Sequence, residues 1–428
     1  MLDIKIIRER PDMVKNDLKK RGALEKIPLL DQLLKEDTEY RESLKGLELL
    51  RHRRNLKTEE IRKRKEEGEK IDKYRKEMQS LLEKMKETEK IVEDKKTKID
   101  SLLFKIPNIL HDSVPVGKDE NDNKEIRKWG KIPHFSFPVN GHEEIGRNLD
   151  IIDIERASKI SGARFYFLKN EGVILDLALQ RFAIDFLFKK GFSLIQPPFL
   201  MKKSPYEGVV DLEDFEEVMY KIEGEDLYLI ATSEHPLIAQ FQNETILEES
   251  LPLRLMGISP CFRKEAGSHG KDTKGIFRVH QFNKVEQVIL SRPEDSWKLH
   301  EDLIKNVEEL FQKLEIPYRL VNVCTGDIGS IAAKKYDLEA WLPAQGKYGE
   351  MASCSNATDY QARRLRIKYG KKGSPPAGLV HTLNSTALVT RALVAVLENY
   401  QQKDGSVLIP KALVPYLNGI KKIEKKRI

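Results

Sequence analysis

The sequence predicts an α+β protein: an antiparallel β-sheet domain flanked by helices, preceded by an antiparallel α-helical coiled-coil hairpin. Two observations predict it. From Ile71 the apolar positions step by three and four through Tyr74, Met78, Leu81, Met85, Val92, Ile99 and Leu102, the heptad pattern of a helix with one apolar seam. Beyond about residue 150 the chain changes to short apolar runs bounded by turn residues, with only a few helical stretches among them, as in a sheet built from hairpins.

The segment before Ile71 repeats the heptad rule through Leu30, Leu33, Tyr40, Leu44, Leu47 and Ile61, interrupted at Asp37, Arg51, Arg54 and Thr58; Thr88 and Lys95 interrupt the second arm. Gly68 between the arms supplies the permissive backbone of a tight reversal. The arms, from about Leu29 to Leu103, should project roughly 50 to 60 Å at about 1.5 Å per residue. Between residues 51 and 76 cations outnumber anions two to one, beginning with Arg51, Arg53, Arg54 and Lys57. A basic, rigid rod can straddle a nucleic-acid backbone by phosphate contacts. Arg51 and Arg54 at seam positions point the same way, because an unpaired charge in a seam costs stability. A solvated coiled coil used for dimerisation or spacing explains the same pattern.

Two domains are expected, residues 1–106 and 107–428. Pro107, Pro115, Pro133 and Pro138 mark a linker or irregular lead-in. A helix over Leu175–Lys190, strands over Phe192–Leu200 and Leu227–Ala231, and hairpin arms over Arg254–Phe262 and Phe277–Ile289 follow. Then come a helix over Asp295–Leu314, a strand over Tyr318–Val323 and a helix over Leu388–Tyr400.

The hairpin carries the chemistry. Alternation on a strand puts Arg263 and Glu265 on one face of the outgoing arm, and Arg278, Phe282 and Glu286 on one face of the return. Cations suit phosphates, a ring stacks on a base, and a carboxylate accepts from an amino group. A charged, solvent-facing hairpin is the plainer alternative. Gly267-Ser-His-Gly-Lys271 lacks the spacing of a phosphate loop and there is no dinucleotide-binding fingerprint, so a nucleotide must be held by side chains. The chain has 428 residues, 33% of them charged, and a net charge of +7, which favours a polyanionic partner. Cys261, Cys324 and Cys354 have no metal-ligand or disulfide spacing, and no apolar stretch is long enough for a signal core or a membrane span. A cytoplasmic protein without membrane association is expected.

Motif by motif the chain resembles the seryl-tRNA synthetases, a family of class II aminoacyl-tRNA synthetases, over nearly its whole length. Phe192-Ser-Leu-Ile-Gln-Pro-Pro198 resembles the family's first motif, whose proline, here Pro198, lies at the interface of a homodimer. The hairpin resembles the second. The resemblance implies that Arg263 holds the α-phosphate of ATP, Glu265 meets the adenine amino group, Phe282 stacks on adenine and Arg278 reaches the outer phosphates. Lys264 and Val279 complete that part of the ATP site, and the loop from Gly267 to Gly275 is expected near the acceptor end of tRNA.

Ala231-Thr-Ser-Glu-His235 resembles the serine-recognition loop, which implies Thr232, Ser233 and Glu234 in the amino-acid pocket with Arg263 and Glu286; read alone, Thr-Ser-Glu is a helix cap. Glu350-Met-Ala-Ser353 resembles the segment contacting ATP and Mg²⁺, implying Glu350, Met351, Ala352 and Ser353 at ATP with Glu350 and Ser353 as metal ligands. Arg391, in an apolar run, resembles the motif 3 arginine of the ATP site, catalytic together with Arg263; a structural salt bridge is the alternative. Leu383-Asn-Ser-Thr386 resembles the serine-contacting turn, with Thr386 toward substrate. Between Asn384 and Arg391 the chain is one residue short of the family spacing, so either the deficit lies before the helix or Thr386 is one position out.

The variants look archaeal and eukaryotic. The implied activity is activation of L-serine with ATP and its transfer to tRNA(Ser), gripped by its long variable arm and acceptor end, and also to tRNA(Sec). The alternatives are a catalytically inactive RNA-binding homologue and a serine:carrier-protein ligase, whose relatives lack the basic hairpin.

Overall fold

The computed structural model describes residues 1–210, 218–265 and 275–425. Contacts divide the chain into two units, Met1–Pro107 and Asn108–Ile428. In the first, helices α1 (Ile4–Glu9) and α2 (Pro11–Lys20) precede two long ones, α3 (Ile27–Glu66) and α4 (Asp72–Lys105). Gly68 turns between them at φ +76°, a left-handed backbone that costs a residue without Cβ nothing extra. Leu30, Leu33, Leu47, Met85, Ile99 and Leu102 are buried along the seam, as the spacing requires.

The polar interruptions of that seam are partnered. Asp37, 1% exposed, accepts from Arg8 Nε at 2.7 Å and Nη2 at 2.6 Å. Lys95 donates to Glu39 at 2.5 Å, Arg51 to Glu89 at 3.0 Å, and Lys57 to Glu77. Arg54 donates to the side chain of Asn55 at 2.7 Å. The reading of Arg51 as an unpaired seam charge is therefore corrected, whereas Arg54 meets a neutral amide rather than a carboxylate: a two-helix seam is narrow enough for long side chains to leave it and meet a partner in water.

The second unit is built on one eight-stranded sheet. Its strands are β1 (Lys124–Trp129), β2 (Ser193–Ile195), β3 (Leu253–Phe262), β4 (Gln281–Ser291), β5 (Tyr318–Asn322), β6 (Lys334–Leu342), β7 (Lys347–Asn356) and β8 (His381–Val389). They lie in the order β1-β5-β6-β7-β8-β4-β3-β2, antiparallel except for β2 beside β3. Helices α5 (His142–Asn148), α6 (Asn170–Lys189), α7 (Glu234–Ala239), α8 (Ser296–Lys313) and α9 (Arg391–Asn399) surround it. The main core joins α6, α8 and α9 to the inner residues Val285, Ile289, Leu338, Leu383 and Leu388 of the sheet.

Three expectations change. The stretch read as a linker supplies edge strand β1 and helix α5; all six β1 residues are exposed, so the strand has no apolar alternation to betray it. The helix expected from Leu388 starts at Arg391, and the turn expected over 383–386 is the middle of β8. A buried central strand and a buried helix both read as apolar runs, and Ala387-Leu-Val is such a run. Finally, the return arm becomes a strand only at Gln281, so Arg278 and Val279 precede it, just as Arg263 and Glu265 follow the end of β3. Among the described residues no helix is long and apolar enough to cross a membrane, and Cys261, Cys324 and Cys354 are free and buried.

Candidate active site

One face of the sheet is polar near its middle, and pairing register decides which residues share it. On β4, Phe282, Lys284 and Glu286 alternate onto this face; Thr386 of β8 stands opposite Glu286. Two bulges then recruit residues that simple alternation would send to the other side. The register of β7 against β6 slips at Met351, so Glu350 and Ser353, three apart, stand opposite Glu339 and Asp337 on one face. The register of β8 slips at Ala387, which returns Val389 to the face of Thr386. A bulge adds one residue and restores the alternation beyond it. Helix α9 begins at Arg391 itself, directly after this strand.

A cavity of about 370 Å³ opens on this face, lined among others by Thr232, Glu234, His235, Arg263, Ser353 and Asn384. Glu234 accepts from Gln361 Nε2 at 3.1 Å. Desolvation, aided by the like charge of Glu286, pushes its carboxyl up to about 7. Glu286 is 1% exposed and lies 2.7 Å from Lys284 Nζ and 3.3 Å from Asn384 Nδ2. Burial holds His235 well below the usual imidazole range, hence neutral. Among the described residues, His235 Nδ1 is buried on the cavity wall without a hydrogen-bond partner, an unmet polar atom that a small polar ligand would relieve. The loop over Ile328–Ala332 forms another wall. Asn108 Nδ2 pins it by donating to Ile331 O at 2.9 Å and to Ala357 O at 2.8 Å.

Beside the cavity runs a narrow slot lined by Glu265, Phe277, Val279, Phe282, Val389 and Arg391. The Arg391 guanidinium lies 4.6 Å over the Phe277 ring, and that of Arg263 lies 5.3 Å over Phe282. Arg391 Nη1 donates to Glu350 O at 2.7 Å, and Arg278 Nη1 to Glu265 Oε2 at 2.8 Å. Desolvation raises the pKa of Glu350, but Arg391, Lys335, Arg263 and Arg278 together outweigh it and hold the carboxyl below its usual range.

Comparison with known proteins identifies the family of the chain. The family model for the tRNA synthetase class II core domain (G, H, P, S and T) matches residues 217–400, and that for the seryl-tRNA synthetase N-terminal domain matches residues 1–110. The serine--tRNA ligase of Pyrococcus horikoshii is 53% identical, over 99% of this chain and 97% of its own. The chain belongs to the seryl-tRNA synthetase family. The crystal structure of the Pyrococcus horikoshii seryl-tRNA synthetase complexed with ATP superposes with a TM-score of 0.95 at 52% identity, covering 100% of both chains. The cytoplasmic serine-tRNA ligase of Naegleria fowleri, in complex with AMP, gives 0.89 at 39% identity, covering 100% of this chain and 99% of that one.

Within this synthetase frame most of the expected residues converge, with two refinements. Ser233 does not line the cavity: its Oγ lies against β3, where a Cβ on Gly257 would meet it at 2.5 Å. Met351 and Ala352 bury their side chains in the core, so what they offer a ligand is backbone. Lys284, His235, Gln361 and Asn108 were not singled out from the sequence. Lys284 was the findable one, since it alternates with Phe282 and Glu286 on one strand. The loop from Gly267 to Gly275 falls, apart from Gly275, outside the described residues, and Arg51, Arg53, Arg54 and Lys57 belong to the first unit.

Proposed function

We infer that this chain activates L-serine with ATP to seryl-adenylate and transfers the serine to tRNA(Ser). The observation that carries the inference is likeness to serine--tRNA ligases across both units, on a chain that has Arg263, Phe282 and Arg391 at the cavity and slot and Glu286 on the same face of β4 as Phe282. Neither alternative gains support: the N-terminal 110 residues match the tRNA synthetase domain that a carrier-protein ligase lacks, and each proposed catalytic position holds a competent side chain.

Serine lies in the cavity with its ammonium toward Glu234 and Glu286 and its hydroxyl among Thr232, Asn384 and Thr386. A site built to hydrogen-bond a hydroxyl rejects alanine strongly, because its buried polar groups are then left unpaired. ATP lies against the side chains that line the slot: Phe282 and Arg391 flank the adenine, Glu265 accepts from its amino group, Arg263 neutralises the α-phosphate and Arg278 the outer phosphates. Lys264, Val279 and the backbone of Met351 and Ala352 close around it. The serine carboxylate attacks the α-phosphorus; that P–O bond forms as the bond to pyrophosphate breaks. The nucleophile is already ionised, so positioning and charge neutralisation carry the rate and no protein base is needed. The 3′ hydroxyl of tRNA then attacks the serine carbonyl and AMP leaves.

Glu350, held ionised, and Ser353 share one face through the Met351 bulge and present hard oxygen donors that fit Mg²⁺. When bound, the ion would neutralise charge on the phosphates. Arg51, Arg53, Arg54 and Lys57 would meet the phosphates of the variable arm, in tRNA(Ser) and in tRNA(Sec). A second copy of the chain covers Val173, Ile174, Leu177 and Phe188, which α6 leaves exposed, together with the region of Pro198; the assembly works in the cytoplasm.

The test is amino-acid-dependent ATP–pyrophosphate exchange with serine, threonine, alanine and cysteine, without and with tRNA. Exchange with serine alone is expected. Exchange with none of the four, by a folded protein, would overturn the proposal.

A further inference from the structure

The return arm of the hairpin reaches Phe277 and Arg278 before it becomes a strand, so β-pairing does not hold it there. Helix α9 holds it instead, at two points seven residues apart and therefore on one side of the helix. At one, Arg391 Nε donates to Phe277 O at 3.0 Å. At the other the contact is indirect. The backbone N–H of Ile276 donates to His142 Nε2 at 3.0 Å, and His142 Nδ1 lies 2.9 Å from Glu398 Oε1.

The direction of these bonds settles the state of the imidazole. A backbone N–H only donates, so Nε2 accepts and carries no proton; Nδ1 carries it and donates to Glu398. Glu398 is itself fixed, its Oε1 accepting from His142 N at 3.2 Å and its Oε2 from Ala344 N at 3.1 Å. His142 is 2% exposed and Glu398 1%. The arm leaves no slack at this point: Gly275 has φ +73°, and a Cβ there would sit 1.9 Å from His142 Nε2.

We propose that His142, oriented by Glu398, is a positioning residue for ATP: it fixes the Ile276 amide and through it the arm that presents Phe277 and Arg278 to the nucleotide. The inference rests on the ATP site proposed above. It predicts a division between the substrates, since the serine cavity is lined from other segments and should not register the loss.

The experiment compares His142→Gln and His142→Asn in the full chain, by serine-dependent exchange and by thermal melting. Glutamine places an acceptor near the reach of Nε2; asparagine can serve only Glu398. Asparagine is expected to raise the KM for ATP about tenfold or more, with the serine KM within about twofold, and glutamine to restore most of the loss. Gly275→Ala, which displaces the arm from the other side, should reproduce the asparagine phenotype. Equal losses for both His142 variants, accompanied by equal falls in melting temperature, would reduce His142 to a packing role and overturn the proposal, as would an unchanged KM for ATP in all three variants. If the unsubstituted chain showed no exchange, the ATP site itself would fall and the inference with it.

Discussion

The helical hairpin and the polar face of the sheet use the same charged residues in opposite ways. In the hairpin, Arg51, Lys57 and Lys95 meet carboxylates across the arms while remaining in contact with water, and such pairs add little to stability. On the sheet, Lys284 and Glu286 are 7% and 1% exposed, where each depends on the other. The difference teaches that a charge in a heptad seam is weak evidence of a binding role, whereas a buried pair beside a polar cavity is stronger.

The comparison breaks most readily at Arg263. Arg263→Ala is expected to lower serine-dependent exchange by about 10²–10³-fold, as for loss of a transition-state charge partner, while tRNA binding measured by filter retention stays within about twofold; retained adenylate formation would show that the phosphates lie elsewhere. Next, Lys284→Met strands the Glu286 carboxylate and should cost about 3–5 kcal/mol in denaturant unfolding. Lys95→Met in the hairpin should shift the same curve far less. Equal shifts would abolish the contrast between the two regions.

A third effect is pH dependence at Glu234. Its carboxyl is raised from 4.5 to about 7 in the fold, so the protonated form is the stabilising one: that contribution is complete below about pH 4.5 and is lost as the pH rises through about 7. The serine ammonium prefers the ionised carboxylate. The serine KM is thus expected to rise about tenfold on going from pH 8 to pH 6, for one group titrating near 7. Glu234→Gln should flatten the profile, and a profile that keeps its shape would remove Glu234 from the ammonium. The smallest effect is expected at Arg53→Ala: a weaker tRNA complex whose log–log salt dependence falls by roughly 0.7–0.9 per lost phosphate contact, with exchange unchanged. An unaltered salt slope would take Arg53 off the phosphate track.

Much of the molecule was legible as periodicity and motif. The arms on either side of Gly68, helices α6 and α8, and strands β3 and β5 lie within a few residues of where spacing puts them, because each is an apolar run of regular spacing or one bounded by turn residues. Strand-face reasoning also placed Phe282 and Glu286 correctly, both being within β4. It did not apply to Arg263, Glu265 and Arg278, which lie just outside the strands and are brought together by loop geometry and by the ion pair between Glu265 and Arg278. Edge strand β1 was illegible, since a strand exposed on both faces carries no apolar signal.

The sequence alone determined the helical hairpin, the mixed sheet domain and the residue types of the site, all of which follow from local periodicity and side-chain chemistry. Tertiary structure alone decided which of those residues share a face. The bulges at Met351 and Ala387 are pairing events between strands, and they reverse the alternation that a single strand would obey; so Glu350 joins Ser353, and Val389 joins Thr386, only once the neighbouring strands are in place.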